Sequence, residues 1–206
     1  MARIELPTRE QAPIETHEIL DEMQQRLGFL SNGLRLLSLS PSVLRAYVDL
    51  QTTMSHVLDA KTREAVALAV SMANGCNYCV ATHCFITQAN SQTARDEISL
   101  NLEGKSSDSK RAAAAAFAKR IIETHGKVND ADLAAVRVAG YADAQIVELA
   151  TLAARYTLTN FLNNMADIEI DIPAISNFEA LIRFLVAGRQ IRVGLFVEPA
   201  HRGDRA

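Results

Sequence analysis

The chain has 206 residues, of which 49% are hydrophobic and 22% are charged, a composition typical of a globular protein with a buried core. Its formal net charge of −3 and pI near 6.0 argue against nucleic acid or an anionic membrane as a partner, because both would require a basic surface. Apolar stretches such as residues 65–70 are too short to span a bilayer, and the charged start MARIELPTRE does not resemble a signal peptide, so we expect a cytoplasmic protein without a membrane partner.

The first part of the chain predicts a short arm followed by helices. Residues 1–13 are polar and are expected to form an N-terminal arm. Residues 14–27 have apolar side chains at the spacing of one helix face, and Gly28 is a suitable helix end. Ser40 followed by proline has the residue types of an N-cap and first helical position, which predicts a helix over residues 41–57.

Two helices separated by a glycine are predicted next. Either Asp59 or Thr62 can cap a helix that is expected to reach Asn74. Gly75 follows and is typical of a helix end. A second helix is predicted to start at Cys76 and to continue to about residue 89.

The rest of the chain is also predicted to be helical. The alternation of isoleucine and acidic residues at 168–172 has no partner strand in the sequence and is interpreted as an extended connector. Few glycines and prolines disfavour a turn-rich β fold, so the expected class is all-α, with residues 14–206 forming one domain. The further helices are predicted at residues 93–102, 111–123, 130–138, 143–165 and 176–188.

The three cysteines of the chain lie close together in the sequence. Cysteines of a disulfide framework are usually spread out to close long loops, whereas Cys76, Cys79 and Cys84 fall within nine residues. In a protein expected to be cytoplasmic, such a cluster indicates redox chemistry or metal binding.

Helical geometry separates these cysteines into two groups. At about 100° per residue, Cys76, Cys79 and His83 share an arc of about 60°, while Cys84 is turned roughly 80–140° away. Cys79 would lie in the first helical turn, where free backbone N–H groups and the helix dipole favour a thiolate. His83, one turn later, is suited to hold or pass a proton, and Cys76 is placed to attack a sulfenic acid on Cys79.

Glu64 is an unusual residue in an otherwise apolar helix segment. A carboxylate beside Val66 and Leu68 is expected to be partly buried and therefore to need a partner. The break at Gly75 would allow the two helices to fold back and bring Glu64 near the cysteines.

These residues together resemble a known family. An Arg-Glu pair, eleven residues, C-x-Y-C, three residues and histidine form a pattern similar to the core motif of the AhpD-like alkyl hydroperoxidases of the carboxymuconolactone decarboxylase superfamily. Glu64, Cys76, Cys79 and His83 fall on the active-site positions of that motif. The resemblance covers roughly residues 28–170, and the segment upstream of the motif is similar to the peroxidase-related members.

The resemblance implies a fold, an activity and an assembly. The fold would be an all-α, single-domain AhpD-like fold, and the assembly a homo-oligomer, often a trimer or hexamer. The activity would be thiol peroxidase chemistry without a cofactor, in which Cys79 attacks a hydroperoxide, Cys76 resolves the product and an external dithiol restores both thiols. Glu64 and His83 would form the proton relay. The best-known members have histidine where this chain has Tyr78, so Tyr78 is only a possible relay member.

Other interpretations of the same residues stay open at this point. The cysteines could be buried small apolar residues, or could bind zinc together with His83, although a second ligand pair is missing from the sequence. Glu64 could be a surface acid paired with Lys61 or Arg63. A lactone decarboxylation or related proton transfer would use acid–base groups without a second thiol, and a non-catalytic redox or scaffold protein could use the same dithiol.

Several remaining residues are expected to have no catalytic role. Cys84 is interpreted as a buried bystander. Asn163 and Asn164 are expected either to line the site or to serve the structure. The other histidines have no functional context in the sequence and are interpreted as surface residues: His17, His56, His125 and His201.

Overall fold

The computed structural model describes residues 2–91 and 93–172, and within these residues the chain is all-α, as predicted. A short 3-10 turn (Ile14–Thr16) precedes the helices. The helix predicted at residues 176–188 lies outside the described residues. The helices are α1 (His17–Leu27), α2 (Asn32–Ser38), α3 (Pro41–Met54), α4 (Ala60–Ala73), α5 (Asn77–Ser91), α6 (Arg95–Leu102), α7 (Ser109–Glu123), α8 (Asp130–Val138) and α9 (Asp143–Ala166).

The helix ends follow the capping residues that the sequence contains. Gly28 ends α1 in the left-handed region at φ +80°, which a residue with a Cβ rarely adopts. The Ser40 side chain accepts a hydrogen bond from a backbone N–H in the first turn of α3. Of the two candidates for capping α4, Asp59 has this role, because its carboxylate accepts the backbone N–H of Thr62 at 3.0 Å.

Helix α4 is the centre of the fold. Its residues from Ala65 to Ser71 are buried on every side, which explains why the segment lacks a polar face. Helices α5, α6, α7 and α9 pack around it. Small side chains allow a close approach between α4 and α7, where Ala65, Ala69 and Ala115 form a common contact.

A sharp corner joins α4 to α5. Gly75 adopts φ +62°, and the backbone N–H of Cys76 donates to the carbonyl of Ser71. The chain therefore reverses direction within a few residues, and α5 lies against α4. This corner positions the cysteine motif beside the middle of the central helix.

The N-terminal arm and the extended connector both pack near the start of α5. The backbone N–H of Arg3 donates to the carbonyl of Ala166, and Ile4 and Leu6 contact a buried cluster that includes Cys76 and Ile168. The Arg35 guanidinium holds the same arm through the carbonyls of Leu6 and Pro7. The arm and the connector therefore cover part of the cysteine motif.

Candidate active site

Cys76 and Cys79 are joined in a disulfide at the N-terminal end of α5. Cys76 directly precedes the helix and Cys79 is its third residue, with Cα atoms 5.3 Å apart. Their predicted position on one helix face is confirmed. The backbone N–H of Cys79 donates to Cys76 Sγ at 3.3 Å, so the first cysteine occupies the capping position. A backbone N–H of the first helical turn, expected to stabilise a thiolate on Cys79, therefore donates to the sulfur of Cys76 instead.

The Cys79 sulfur has a different hydrogen-bond donor. Asn163 Nδ2, from α9, lies 3.2 Å from Cys79 Sγ, and both side chains are buried. A donor at this position can stabilise negative charge on the sulfur after reduction. Of the two asparagines, Asn163 lines the site, whereas Asn164 donates to the carbonyl of Asn74 and holds α9 to the corner.

Glu64 and His83 form a buried pair beside the cysteines. Glu64 Oε2 lies 2.9 Å from His83 Nδ1, and both side chains are less than a fifth exposed. Thr87, one turn beyond His83, makes a longer contact of 3.5 Å with the same oxygen. Arg63 donates to backbone carbonyls, so the interpretation of Glu64 as a surface acid paired with a neighbouring cation is wrong.

The ring of His83 is fixed by an aromatic neighbour. Its edge meets the ring of Tyr156 at an interplanar angle of 89° and a centroid distance of 5.2 Å. The Tyr156 hydroxyl donates to the carbonyl of Arg63, which connects α9 to the start of α4. With Nδ1 held by Glu64 and the ring held by Tyr156, the imidazole has a defined orientation.

A cavity of about 410 Å³ brings these groups together. Cys79, His83 and Glu64 line it, while Cys76 is fully buried behind Cys79. Of the two motif cysteines, Cys79 is therefore the one that borders the cavity. Apolar side chains from four helices form much of the remaining wall: Leu34, Leu37, Met54, Ile86 and Leu162.

Tyr78 lines the same cavity, but its hydroxyl is engaged elsewhere. It donates to Asp171 Oδ1 at 2.9 Å and accepts from the backbone N–H of Gly33 at 3.0 Å. Burial, reinforced by the charge of Asp171, raises the pKa of the Tyr78 phenol above its ordinary value. These contacts tie α2 and the connector to the cysteine helix, and a relay role for Tyr78 stays a prediction.

Cys84 is separate from the site, as the helical geometry predicts. It packs among Leu68, Val80 and Ile98 in a cluster that contains neither of the other cysteines. Burial, with a contribution from the charge of Glu64, raises the pKa of the Cys84 thiol to about 12. A thiol in this environment stays protonated and unreactive at neutral pH.

The remaining histidines take no part in this site within the described residues. His56 and His125 are exposed, and His17 is half-buried and contacts the carbonyl of Ala12. His201 lies outside the described residues. Across residues 2–91 and 93–172, no group of three or more His, Cys, Asp or Glu side chains is arranged to hold a metal ion.

Three contributors to the site were not singled out from the sequence. Tyr156 and Arg155 come from α9, and Asp171 comes from the connector. A lone arginine within the long apolar segment of α9 was the available signal for Arg155. Only the folded chain shows which face of α9 meets α5.

The family model of the carboxymuconolactone decarboxylase family matches residues 41–124, a segment that contains Glu64, both motif cysteines and His83. The match covers less than half of the chain, and over these residues the chain is similar to that family. The superfamily resemblance stated from the motif is thereby confirmed. Among curated proteins, none shows significant similarity to this chain.

Several solved structures share the fold of this chain. An uncharacterized peroxidase-related protein from Ralstonia eutropha JMP134, described as an alkylhydroperoxidase AhpD core, is 22% identical with a TM-score of 0.74, over 93% of this chain and 98% of that one. A peroxidase-related protein from Silicibacter sp. TM1040 is 21% identical with a TM-score of 0.72, over 81% of this chain and 90% of that one.

A third similar structure is that of a debrominase. It is the debrominase Bmp8, as a cysteine-to-alanine variant in complex with 2,3,4-tribromopyrrole, which is 22% identical with a TM-score of 0.69, over 89% of this chain and 95% of that one. The predicted AhpD-like helical fold is confirmed by these likenesses, which at such identities concern the fold alone.

Within the described residues, none of the helices has the length and apolar composition needed to cross a membrane.

Proposed function

We propose that this protein is a thiol-dependent hydroperoxidase that uses Cys76 and Cys79 as its redox pair. The observation that supports this most is a disulfide whose second cysteine lines a cavity, beside the largely buried Glu64–His83 pair. A thiol, a neighbouring resolving thiol and an oriented acid–base pair are the groups that two-electron peroxide reduction requires.

The proposed reaction has three steps. The Cys79 thiolate attacks the terminal oxygen of a hydroperoxide ROOH, the O–O bond breaks, and Cys79 becomes a sulfenic acid while RO⁻ takes a proton to leave as ROH. The Cys76 thiol then attacks the sulfenic sulfur, which forms the disulfide and releases water. An external dithiol reduces this disulfide by thiol–disulfide exchange and leaves as its own disulfide.

Glu64 and His83 supply the proton transfers in this proposal. The thiol proton of Cys79 passes to the pair, and the same proton can be returned to the leaving alkoxide. The 2.9 Å contact between Glu64 and His83 supports this assignment, because it fixes one ring nitrogen and leaves the other for proton exchange.

The main test of this proposal is steady-state turnover of tert-butyl hydroperoxide with dithiothreitol as the reductant. We expect peroxide-dependent oxidation of the dithiol, lost when both motif cysteines are serine. Activity on a lactone acid that survives loss of both cysteines would favour a proton-transfer enzyme. A disulfide that forms with no peroxide turnover, for any dithiol, would favour a redox sensor or scaffold.

A halogenated heterocycle is a useful second substrate in the same assay. The debrominase Bmp8 shares the fold, so 2,3,4-tribromopyrrole tests whether the dithiol of this chain reduces a carbon–bromine bond. Bromide release with dithiothreitol but no peroxide consumption would contradict the hydroperoxidase proposal while keeping the role of the dithiol.

We also propose that the chain forms a homo-oligomer. Leu158, Phe161 and Met165 are 40%, 61% and 53% exposed and lie on one face of α9, an apolar stripe that a second copy can cover. Light scattering at micromolar concentration is expected to give a multiple of the 22.5 kDa protomer mass. A mass near that of one protomer would contradict this prediction.

A further inference from the structure

The cavity contains a cation that the proposed reaction does not use. Arg155, from α9, lines the wall next to Tyr156, and its guanidinium carbon lies 4.5 Å from the centroid of that ring. The ring of Tyr156 also contacts the ring of His83. Arg155 is therefore one aromatic residue away from the Glu64–His83 pair.

Arg155 is half-buried, and its guanidinium interacts with the Tyr156 side chain and with the charge of Glu64. Its Nε atom is buried and has no hydrogen-bond partner among the described residues, where no carboxylate forms a salt bridge with it. A buried donor of this kind costs free energy unless something accepts its hydrogen bond. Because Arg155 also lines the cavity, its guanidinium is available to an acceptor bound there.

The charge balance of the cavity favours an anion. Arg26, Arg63 and Arg155 line it, and Glu64 is the carboxylate among its described lining residues, already paired with His83. Arg63 directs Nη1 at backbone carbonyls, so its position is fixed by the protein. Arg26 is exposed to solvent, so Arg155 is the half-buried arginine of the wall with an unpartnered donor.

The shape and lining of the cavity restrict the ligand further. Its volume of about 410 Å³ is in the range of small-molecule sites, and apolar side chains such as Leu37, Met54 and Ile86 form part of the wall. A planar carboxylate on an apolar body matches both features, since the edge of a guanidinium binds carboxylates through parallel hydrogen bonds.

We infer that Arg155 binds the carboxylate of an amphipathic organic acid, so that the substrate class is a hydroperoxide with a carboxylate on an apolar chain. The identification of the acid as a substrate rests on the proposed hydroperoxidase function. The identification of the cavity as a carboxylate site does not depend on that function.

The test compares octanoate with octanamide, which has the same chain and no charge. In calorimetric titrations of the oxidised protein, octanoate is expected to bind about 10- to 100-fold more tightly than octanamide, the range for a hydrogen bond to a charged group. Arg155→Gln should remove this preference. Arg45→Gln makes the same charge change on an exposed residue of α3 and should retain it.

A kinetic experiment tests whether the probe binds in this cavity. Octanoate is expected to raise the KM for tert-butyl hydroperoxide in the wild-type protein, and octanamide to raise it far less. Equal binding of the two probes by the wild-type protein overturns the carboxylate site, even if Arg155→Gln does not fold. So does a preference that persists in a folded Arg155→Gln variant.

The two proposals can fail separately. Selective binding of octanoate without turnover of any hydroperoxide would keep the carboxylate site and remove the hydroperoxidase function. Turnover of tert-butyl hydroperoxide without selectivity for octanoate would keep the function and remove the inference about Arg155.

Discussion

Cys79→Ser is expected to reduce peroxide consumption to the uncatalysed level, while Cys76→Ser is expected to retain one stoichiometric reaction and then stop. The two variants are expected to differ because Cys79 lines the cavity, whereas Cys76 is fully buried behind it. Without Cys76, the sulfenic acid formed on Cys79 has no thiol in reach to condense with. Asn163 would still donate to the remaining sulfur.

This prediction is checked by trapping with a dimedone-type probe and by mass spectrometry. Cys76→Ser should be labelled on Cys79 after one equivalent of peroxide, and Cys79→Ser should not be labelled. Cys84→Ala is the matched control, since that thiol is buried in a separate cluster and should not affect labelling or turnover. Labelling on Cys76 in the Cys79→Ser variant would mean that the two roles are reversed.

Glu64→Gln is expected to slow the peroxide step by about 10²- to 10⁴-fold, the usual range for a general acid–base group. Glutamine can still accept a hydrogen bond from His83 Nδ1, but it cannot balance a positive charge on the imidazole. Proton transfer from Cys79 to the pair therefore becomes costly, while the geometry of the 2.9 Å contact is largely kept. The substitution thus tests the charge of Glu64 separately from its position.

The measurement is a pH series of thiol alkylation beside a pH series of peroxide consumption. We expect alkylation to change much less than peroxide consumption, because Glu64 both repels a thiolate and supports positive charge on His83, and these effects offset each other. Thr87→Val is the control, since its contact with the same carboxylate oxygen is long, at 3.5 Å. This variant should behave like the wild-type protein.

Two other results would change the role of Glu64. A strong shift in alkylation, with peroxide consumption fully recovered at high pH, would show that Glu64 only adjusts thiol ionisation. No change in either series would make Glu64 a structural carboxylate and remove the relay from the mechanism.

Local sequence signals were sufficient for much of the fold. Capping residues such as Ser40 and Gly28 fix where helices begin and end, because they act within a few residues of the chain. The same local periodicity placed Cys76, Cys79 and His83 on one face and Cys84 on another. These features need no knowledge of tertiary packing.

The rest of the site depends on contacts between distant parts of the chain. Asn163 lies 84 residues after Cys79, and Asp171 lies 93 residues after Tyr78, so only the packing of α9 and the connector brings each pair together. Helix α9 is apolar over much of its circumference, and its sequence does not distinguish the face that meets α5 from the face left exposed. The Asn163 hydrogen bond to the Cys79 sulfur depends on which face of α9 meets α5, whereas the donor to the Cys76 sulfur is local.

The central claim is that Cys76 and Cys79 act together as a peroxide-oxidised pair. The most direct test is peptide mass spectrometry of the fully reduced wild-type protein before and after one equivalent of tert-butyl hydroperoxide, without added reductant. We predict complete conversion to a Cys76–Cys79 disulfide, with Cys84 still a free thiol and the peroxide consumed. Peroxide left unreacted with both thiols reduced, or a disulfide that includes Cys84, would contradict the account.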